Sequence, residues 1–273
     1  MAINLTTKQM AKTVDKFYQE SVIGGFTNKD YTFDGSKTIL VNTITTQEPG
    51  DYTRSGASRY GTPTDVQDTS QSLTITQDKS VSLVVDKGDK VQSTVIKNAG
   101  KVLSLEIREQ FVPMTDKYAL NAWFEGKGSK VVLASPTKAN IVSAIGDTLT
   151  AFGNASVPVE NSMIYIGWSN FAKLLQAPEF MNLEKLGVDA LENGALGMVL
   201  GFKIKPIPDD YLPASCNFLA VYKKSVLLPF QIKETKIHMD APGISGALME
   251  ARYIYDAFVL EKLNKGVVAC TTA

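Results

Sequence analysis

Between Leu73 and Asp86 the chain alternates: Leu73, Ile75, Val81, Leu83 and Val85 share one parity, while Ser72, Thr74, Thr76, Asp78, Ser80 and Ser82 hold the other. A period of two puts successive side chains on opposite faces, so the stretch predicts a strand with one apolar face. Read as a single strand at roughly 3.3 Å per residue it spans about 46 Å, long for a compact domain and in need of cover from elsewhere. Upstream, Thr38-Ile39-Leu40-Val41-Asn42-Thr43-Ile44-Thr45-Thr46 is rich in β-branched residues and predicts its hairpin partner. The stretch between them, centred on Pro49 to Pro63, is polar and punctuated by Gly50, Gly56 and Gly61, too poor in apolar residues to fold by itself. Two readings stand: an ordinary mobile hairpin, or an excursion built to lie on a neighbouring molecule. Tyr52, Arg54, Arg59 and Tyr60 are the candidate intersubunit contacts, because Tyr and Arg are enriched where interfaces carry energy.

The remaining pattern predicts a mixed α+β chain. Met10, Val14 and Phe17 follow the capping residues Thr6 and Thr7 at helical spacing and stop at Gly24-Gly25, an amphipathic arm without a local partner. Leu103, Ile107, Phe111, Met114 and Tyr118 form one stripe of a long helix from about residue 98 to 125, with Pro113 inside it as a kink or break. Ser135-Pro136 predicts the cap and first turn of a second helix carrying Ile141, Ile145, Leu149 and Phe152 to Gly153. Met163 to Trp168 reads as a buried strand, and Ser169 as the cap of a short helix stopped by Pro178. Residues 197–207, 217–222, 225–238 and 251–260 read as further strands, with turns at Pro208-Asp209-Asp210 and Lys223-Lys224.

Charge and chemistry narrow the function. The 273 residues, enough for one or two domains, balance 28 basic against 28 acidic side chains. A general nucleic-acid binder shows a basic excess, so the balance argues against that class and permits self-association. The N-terminus lacks a leader pattern and no apolar run reaches membrane-spanning length, so a cytosolic chain without a membrane partner is expected. Cys216 and Cys270 lack metal or redox spacing and read as buried small hydrophobes. His238 is the single histidine, and no GxSxG elbow accompanies it. Gly194 to Gly201 matches neither phosphate-binding glycine pattern and reads as a bend at a strand start. Asp209-Asp210, Glu106 and Glu109 read as solvated turn and helix faces. No catalytic residue, cofactor site or metal site is therefore assigned, and an enzyme ranks last.

The order of elements carries a resemblance. Phe33-Asp34-Gly35-Ser36-Lys37-Thr38-Ile39, Asp51-Tyr52-Thr53-Arg54, Leu73-Thr74-Ile75-Thr76-Gln77-Asp78-Lys79-Ser80, Val112-Pro113-Met114-Thr115-Asp116-Lys117-Tyr118 and Tyr255-Asp256-Ala257-Phe258-Val259-Leu260 resemble, in sequence order, the corresponding parts of tailed-bacteriophage major capsid proteins with the HK97-like fold. That resemblance implies an N-terminal arm (1–35), an extended β-hairpin E-loop (36–92), a peripheral domain with a long spine helix (93–135 and 226–273) and an axial domain (136–225). It implies self-assembly as hexamers and pentamers into an icosahedral virion shell around double-stranded DNA, without sequence-specific contacts, in the bacterial host cytoplasm. The implied partners are a scaffolding protein encoded separately, a portal protein and a decoration protein. Some members crosslink an E-loop lysine to a neighbour's asparagine, but no lysine lies between Lys37 and Lys79, so crosslinking from the loop tip is not expected. An encapsulin-like compartment enclosing protein cargo, and a non-shell binding module with a recognition hairpin, remain the alternatives.

Overall fold

The computed structural model describes residues 20–33, 35–92, 99–178, 198–239 and 241–273. The expected arm helix at Met10, Val14 and Phe17, and the glycine run before Met198, lie outside the described residues.

The excursion is bounded by β1 (Thr38–Ile44) and β2 (Asp68–Thr74), which form a two-stranded antiparallel sheet. The long strand expected after it is divided: β3 (Gln77–Asp86) begins after a break at Ile75-Thr76 and joins a different sheet. The parity holds across the break. Leu73 and Ile75 are buried in a cluster at the hairpin root, and Val81, Leu83 and Val85 turn toward a helix-covered core.

After α1 (Lys87–Gln92), the long helix is α2 (Ala99–Glu106), a widened turn over Ile107–Phe111, and α3 (Val112–Glu125). In that turn Val112 N–H bonds to the Ile107 carbonyl, five residues back. The interruption falls immediately before Pro113, whose ring crowds the preceding turn and which has no N–H to give. The predicted stripe from Leu103 to Tyr118 faces the long sheet. A second stripe, not anticipated, carries Ala119, Leu120 and Trp123, all fully buried.

That second stripe packs on a six-stranded sheet. Its strands are β4 (Ser129–Val132), β5 (Ser162–Gly167), β6 (Met198–Val199), β7 (Phe202–Ile207), β8 (Cys216–Tyr222) and a strand at the C-terminal end of the chain, Val267–Thr271. Between β4 and β7 come α4 (Ile141–Asn154) and α5 (Trp168–Leu175). Tyr165, Leu219, Val221, Val267 and Ala269 face α3, while Ile164, Ile166, Phe218, Ala220, Val268 and Cys270 face α4 and α5. Cover on both faces explains why β5, β8 and Val267–Thr271 read as near-continuous apolar runs, whereas β7, nearer the edge, alternates with exposed Lys203 and Lys205.

The chain then forms β9 (Val226–Leu227), β10 (Phe230–Met239), β11 (Gly246–Tyr255), β12 (Phe258–Val259) and, as the sixth strand of that sheet, β13 (Val267–Thr271). The long sheet has the order β10-β11-β3, fully antiparallel, with Gly246 opposite Asp86 and Tyr255 opposite Gln77. Gly246, at φ +153, lies so close to the Val85 carbonyl that a Cβ there would overlap it.

Several local expectations are corrected. Ser135 and Pro136 sit in the turn before α4, where Asn140 Oδ1 accepts Thr137 N–H (2.7 Å) and its Nδ2 donates to Ser135 C=O (3.0 Å), so the helix starts at Ile141. Ser169 does not cap α5; Gly167 does so by position, and the Asp209 carboxylate accepts Ser169 N–H (3.1 Å) and its hydroxyl. The expected strand 197–207 is the β6–β7 hairpin, turning at Leu200 and Gly201 with φ +49 and +87. Strand 225–238 is divided at Leu228-Pro229, and strand 251–260 begins earlier, at Gly246, and breaks at Asp256-Ala257.

Candidate assembly surface

The hairpin stands on one apolar patch. In the β1–β2 register Thr38 faces Thr74 and Ile44 faces Asp68, so Val41 and Leu73 point inward, where with Ile75 they meet Phe33, Leu227 and Leu260. Phe33 stacks on Phe258 with ring centres 5.9 Å apart. Polar bonds continue the attachment: Gln71 Nε2 donates to Val259 C=O and Gln71 Oε1 accepts Glu261 N–H, both 3.0 Å, and Lys262 Nζ donates to Ile44 C=O at 3.0 Å. The outward face, with Leu40 65 % and Ile44 64 % exposed, is uncovered among the described residues.

Beyond the root every residue from Ile44 to Ser70 is exposed. The sequence-predicted contacts all lie in this excursion. Tyr52 and Tyr60 come together edge to face, ring centres 5.0 Å apart, with Tyr60 92 % exposed. Thr53 N–H donates to Arg59 C=O (3.0 Å), and Arg59 Nε donates to Gly56 C=O (3.3 Å). Arg54 is exposed beside them. The tip therefore presents two phenols and two guanidinium groups on a frame held by few bonds and no buried side chain. Side chains that lose large area and unused donors on docking suit such a surface.

Other titratable groups hold the fold together. Asp116 on α3 accepts Val22 N–H (2.7 Å) and the Ser21 hydroxyl (2.9 Å). Burial raises its carboxyl above the ordinary value, while those two bonds and the charge of Lys205 act against the rise. Asp256 accepts the N–H and the hydroxyl of Thr76 (both 2.8 Å), the Tyr118 hydroxyl (2.7 Å) and Ala257 N–H (2.7 Å). Neither carboxylate was singled out from the sequence. The available signal was an acid embedded in an apolar run, Tyr253 to Leu260, and another on the Ala119, Leu120, Trp123 stripe at helical spacing.

The residues weighed for chemistry are dispersed. His238 lies on the open face of the long sheet, its Nε2 3.5 Å from Glu250, where Arg252 also grips Asp78 bidentately at 3.0 and 2.6 Å. Asp209 holds Ser169 while Asp210 pairs with Lys117, so the two adjacent acids serve separate partners. Cys216 and Cys270 are buried free thiols, pushed up to about 12 and about 11 by burial. Among the described residues no group of three metal-type side chains converges, and no helix is long and apolar enough to cross a membrane.

No protein-family model matches the sequence, and no curated protein does. Solved structures do. The structure titled Mycobacterium phage Che8 superposes with TM-score 0.78 at 16 % identity, covering 98 % of this chain and 97 % of that one. The capsid structure of cyanophage P-SCSP1u gives TM-score 0.79 at 12 % identity, over 98 % and 93 %. The mature capsid of bacteriophage PhiM1 gives TM-score 0.77 at 13 % identity, over 98 % and 92 %. With nearly the whole length covered, the chain has the HK97-like fold of phage capsid proteins.

Proposed function

We propose that this chain is the major capsid protein of a phage head and assembles, as hexamers and pentamers, into an icosahedral shell around double-stranded DNA. The observation that carries the reading is the excursion from Ile44 to Ser70, exposed at every residue. A segment with no buried side chain gains order only against another molecule, and in a closed symmetric assembly each copy repeats the same contacts. Tyr52, Arg54, Arg59 and Tyr60 are assigned as intersubunit contacts. In this reading residues 1–35 act as the arm, 36–92 as the E-loop, 93–135 with 226–273 as the peripheral domain and 136–225 as the axial domain. β4 and β13 then lend strands to the axial sheet.

Zero net charge suits a shell lining that meets DNA diffusely without gripping it. Scaffolding and portal proteins direct assembly in the host cytoplasm. With no lysine between Lys37 and Lys79, the shell is held by non-covalent contacts at the loop tip.

The test is negative-stain microscopy paired with light scattering on the chain expressed alone and with its neighbouring genes. Closed shells or capsomer rings are expected. A monomer at high concentration in every condition overturns the proposal in favour of a binding module, and shells that co-purify with enzymes and without DNA replace it with a cargo compartment.

A further inference from the structure

Two backbone ladders end on either side of Thr76. The β1–β2 ladder runs out where Ile75 N–H donates to Lys37 C=O at 3.0 Å, and the β3–β11 ladder begins with Gln77 opposite Tyr255. The next pair in that second register is Thr76 opposite Asp256, and there the Asp256 side chain takes the place of the ladder bond. One carboxylate oxygen accepts both donors of Thr76, and the other accepts the Tyr118 hydroxyl of α3 and Ala257 N–H. Asp256 is 3 % exposed. The hairpin, the spine helix and the end of β11 thus share one buried carboxylate at the point where the strand changes sheets.

We infer that Asp256 is a positioning residue that sets the direction in which the β1–β2 hairpin and its excursion leave the body, and through it the angle between neighbouring copies. The inference rests on the shell reading for its second half and stands on the geometry alone for its first. The apolar parity of Leu73 and Ile75 lapses at Gln77 and Lys79 and resumes at Val81, so the side-chain pattern marks a junction near Thr76 without setting the angle of the chain there. The root cluster of Val41, Leu73 and Ile75 fixes where the hairpin sits. Only a group that binds the break from both sides fixes how sharply the chain turns there. A carboxylate offers acceptors on both oxygens, whereas an asparagine must point its NH2 at one pair of donors and release them.

Asp256→Asn tests this in the full chain. Spin labels on Ser70→Cys in β2 and Ser104→Cys in α2, both exposed, report the hairpin direction by pulsed dipolar distance measurement, with buried Cys216 and Cys270 left unlabelled. With Asp256 present the distance distribution is narrow. With Asn it broadens, Thr76 amide exchange speeds up by roughly tenfold while that of Ala119 and Leu120 is unchanged, and shells become uneven in diameter. A narrow distribution in the Asn variant overturns the tether. A broadened distribution with uniform shells overturns its link to the angle between copies. If the chain with Asp256 forms no shell, the proposed function fails, and the distances still decide the tether. Should Asp256→Asn not fold, Thr76→Val and Tyr118→Phe each remove one bond to the carboxylate, and an unchanged distribution in both overturns the inference.

Discussion

Replacing Arg54 and Arg59 together by Glu separates folding from assembly, because the structure gives these side chains almost nothing to do within one chain. Both are exposed, and Arg59 makes a 3.3 Å bond to a loop carbonyl of the same turn. Exposed substitutions away from special features change stability by up to about 0.5 kcal/mol each, so the pair is expected to cost about 1 kcal/mol at most. For a chain of this length that moves the melting midpoint by about 2–4 °C. At an interface the same groups act as anchors, each costing about 2 kcal/mol or more when removed, and reversed charges add repulsion. Two such losses total about 4 kcal/mol per contact, or roughly a thousandfold in association. Light scattering across a concentration series, with thermal unfolding followed by circular dichroism, reads both quantities. The expected result is a folded chain that stays small where the parent forms shells. Normal shells from the double variant would refute the assignment of these contacts, and a large drop in melting midpoint would show that the excursion belongs to the monomer core.

Leu73→Ala empties part of the root cluster, where Leu73 is 3 % exposed, and is expected to cost about 2–4 kcal/mol by denaturant titration while exposing the excursion to faster proteolysis; unchanged cleavage argues against the cluster as the hairpin's anchor. Asp116 carries a pH signature: its folded carboxyl sits above the ordinary value, so the folded chain holds that proton more tightly and this contribution to stability falls as pH rises through the folded value. Stability of the parent minus that of Asp116→Asn, from urea titrations between pH about 3 and about 7, should therefore grow on acidification; a difference that shrinks refutes the direction. Cys216 and Cys270, buried with raised thiols, should resist a thiol reagent near pH 8 and react fully in denaturant, and rapid native labelling would contradict their burial.

What the sequence could show depended on the range of the interaction involved. The stripe from Leu103 to Tyr118 and the apolar run at Met163 to Gly167 are local patterns and became the face and the strand they predicted, while the parity of Leu73 to Val85 gave the buried side correctly but not the division into two strands. The polar excursion was legible for the same reason, since a stretch without apolar residues has nothing to bury wherever it is placed. Pro113 marked its interruption because a missing N–H is a property of the residue itself.

Pairing and placement were not legible. β4 and β13 were missed although Val131-Val132 and Val267-Val268-Ala269-Cys270 are apolar, because short apolar runs become strands only when a partner adjoins them. Ser135 and Ser169 were expected to cap helices; Asn140 takes the first position, its side chain tying the preceding turn, and the N–H of Ser169 is met by Asp209 from 40 residues away. At the break Thr76 is bonded to Asp256, 180 residues distant, and Val22 to Asp116, 94 residues distant. Apolar periodicity and turn chemistry act between near neighbours, so the order of residues was enough to say which faces must be buried and which segment cannot bury itself. The tertiary structure alone decided which strands share a sheet, that α3 is buried on two faces, and that buried carboxylates hold both the Ser21–Val22 segment and the hairpin to that helix, because those depend on groups that meet only after the chain has folded.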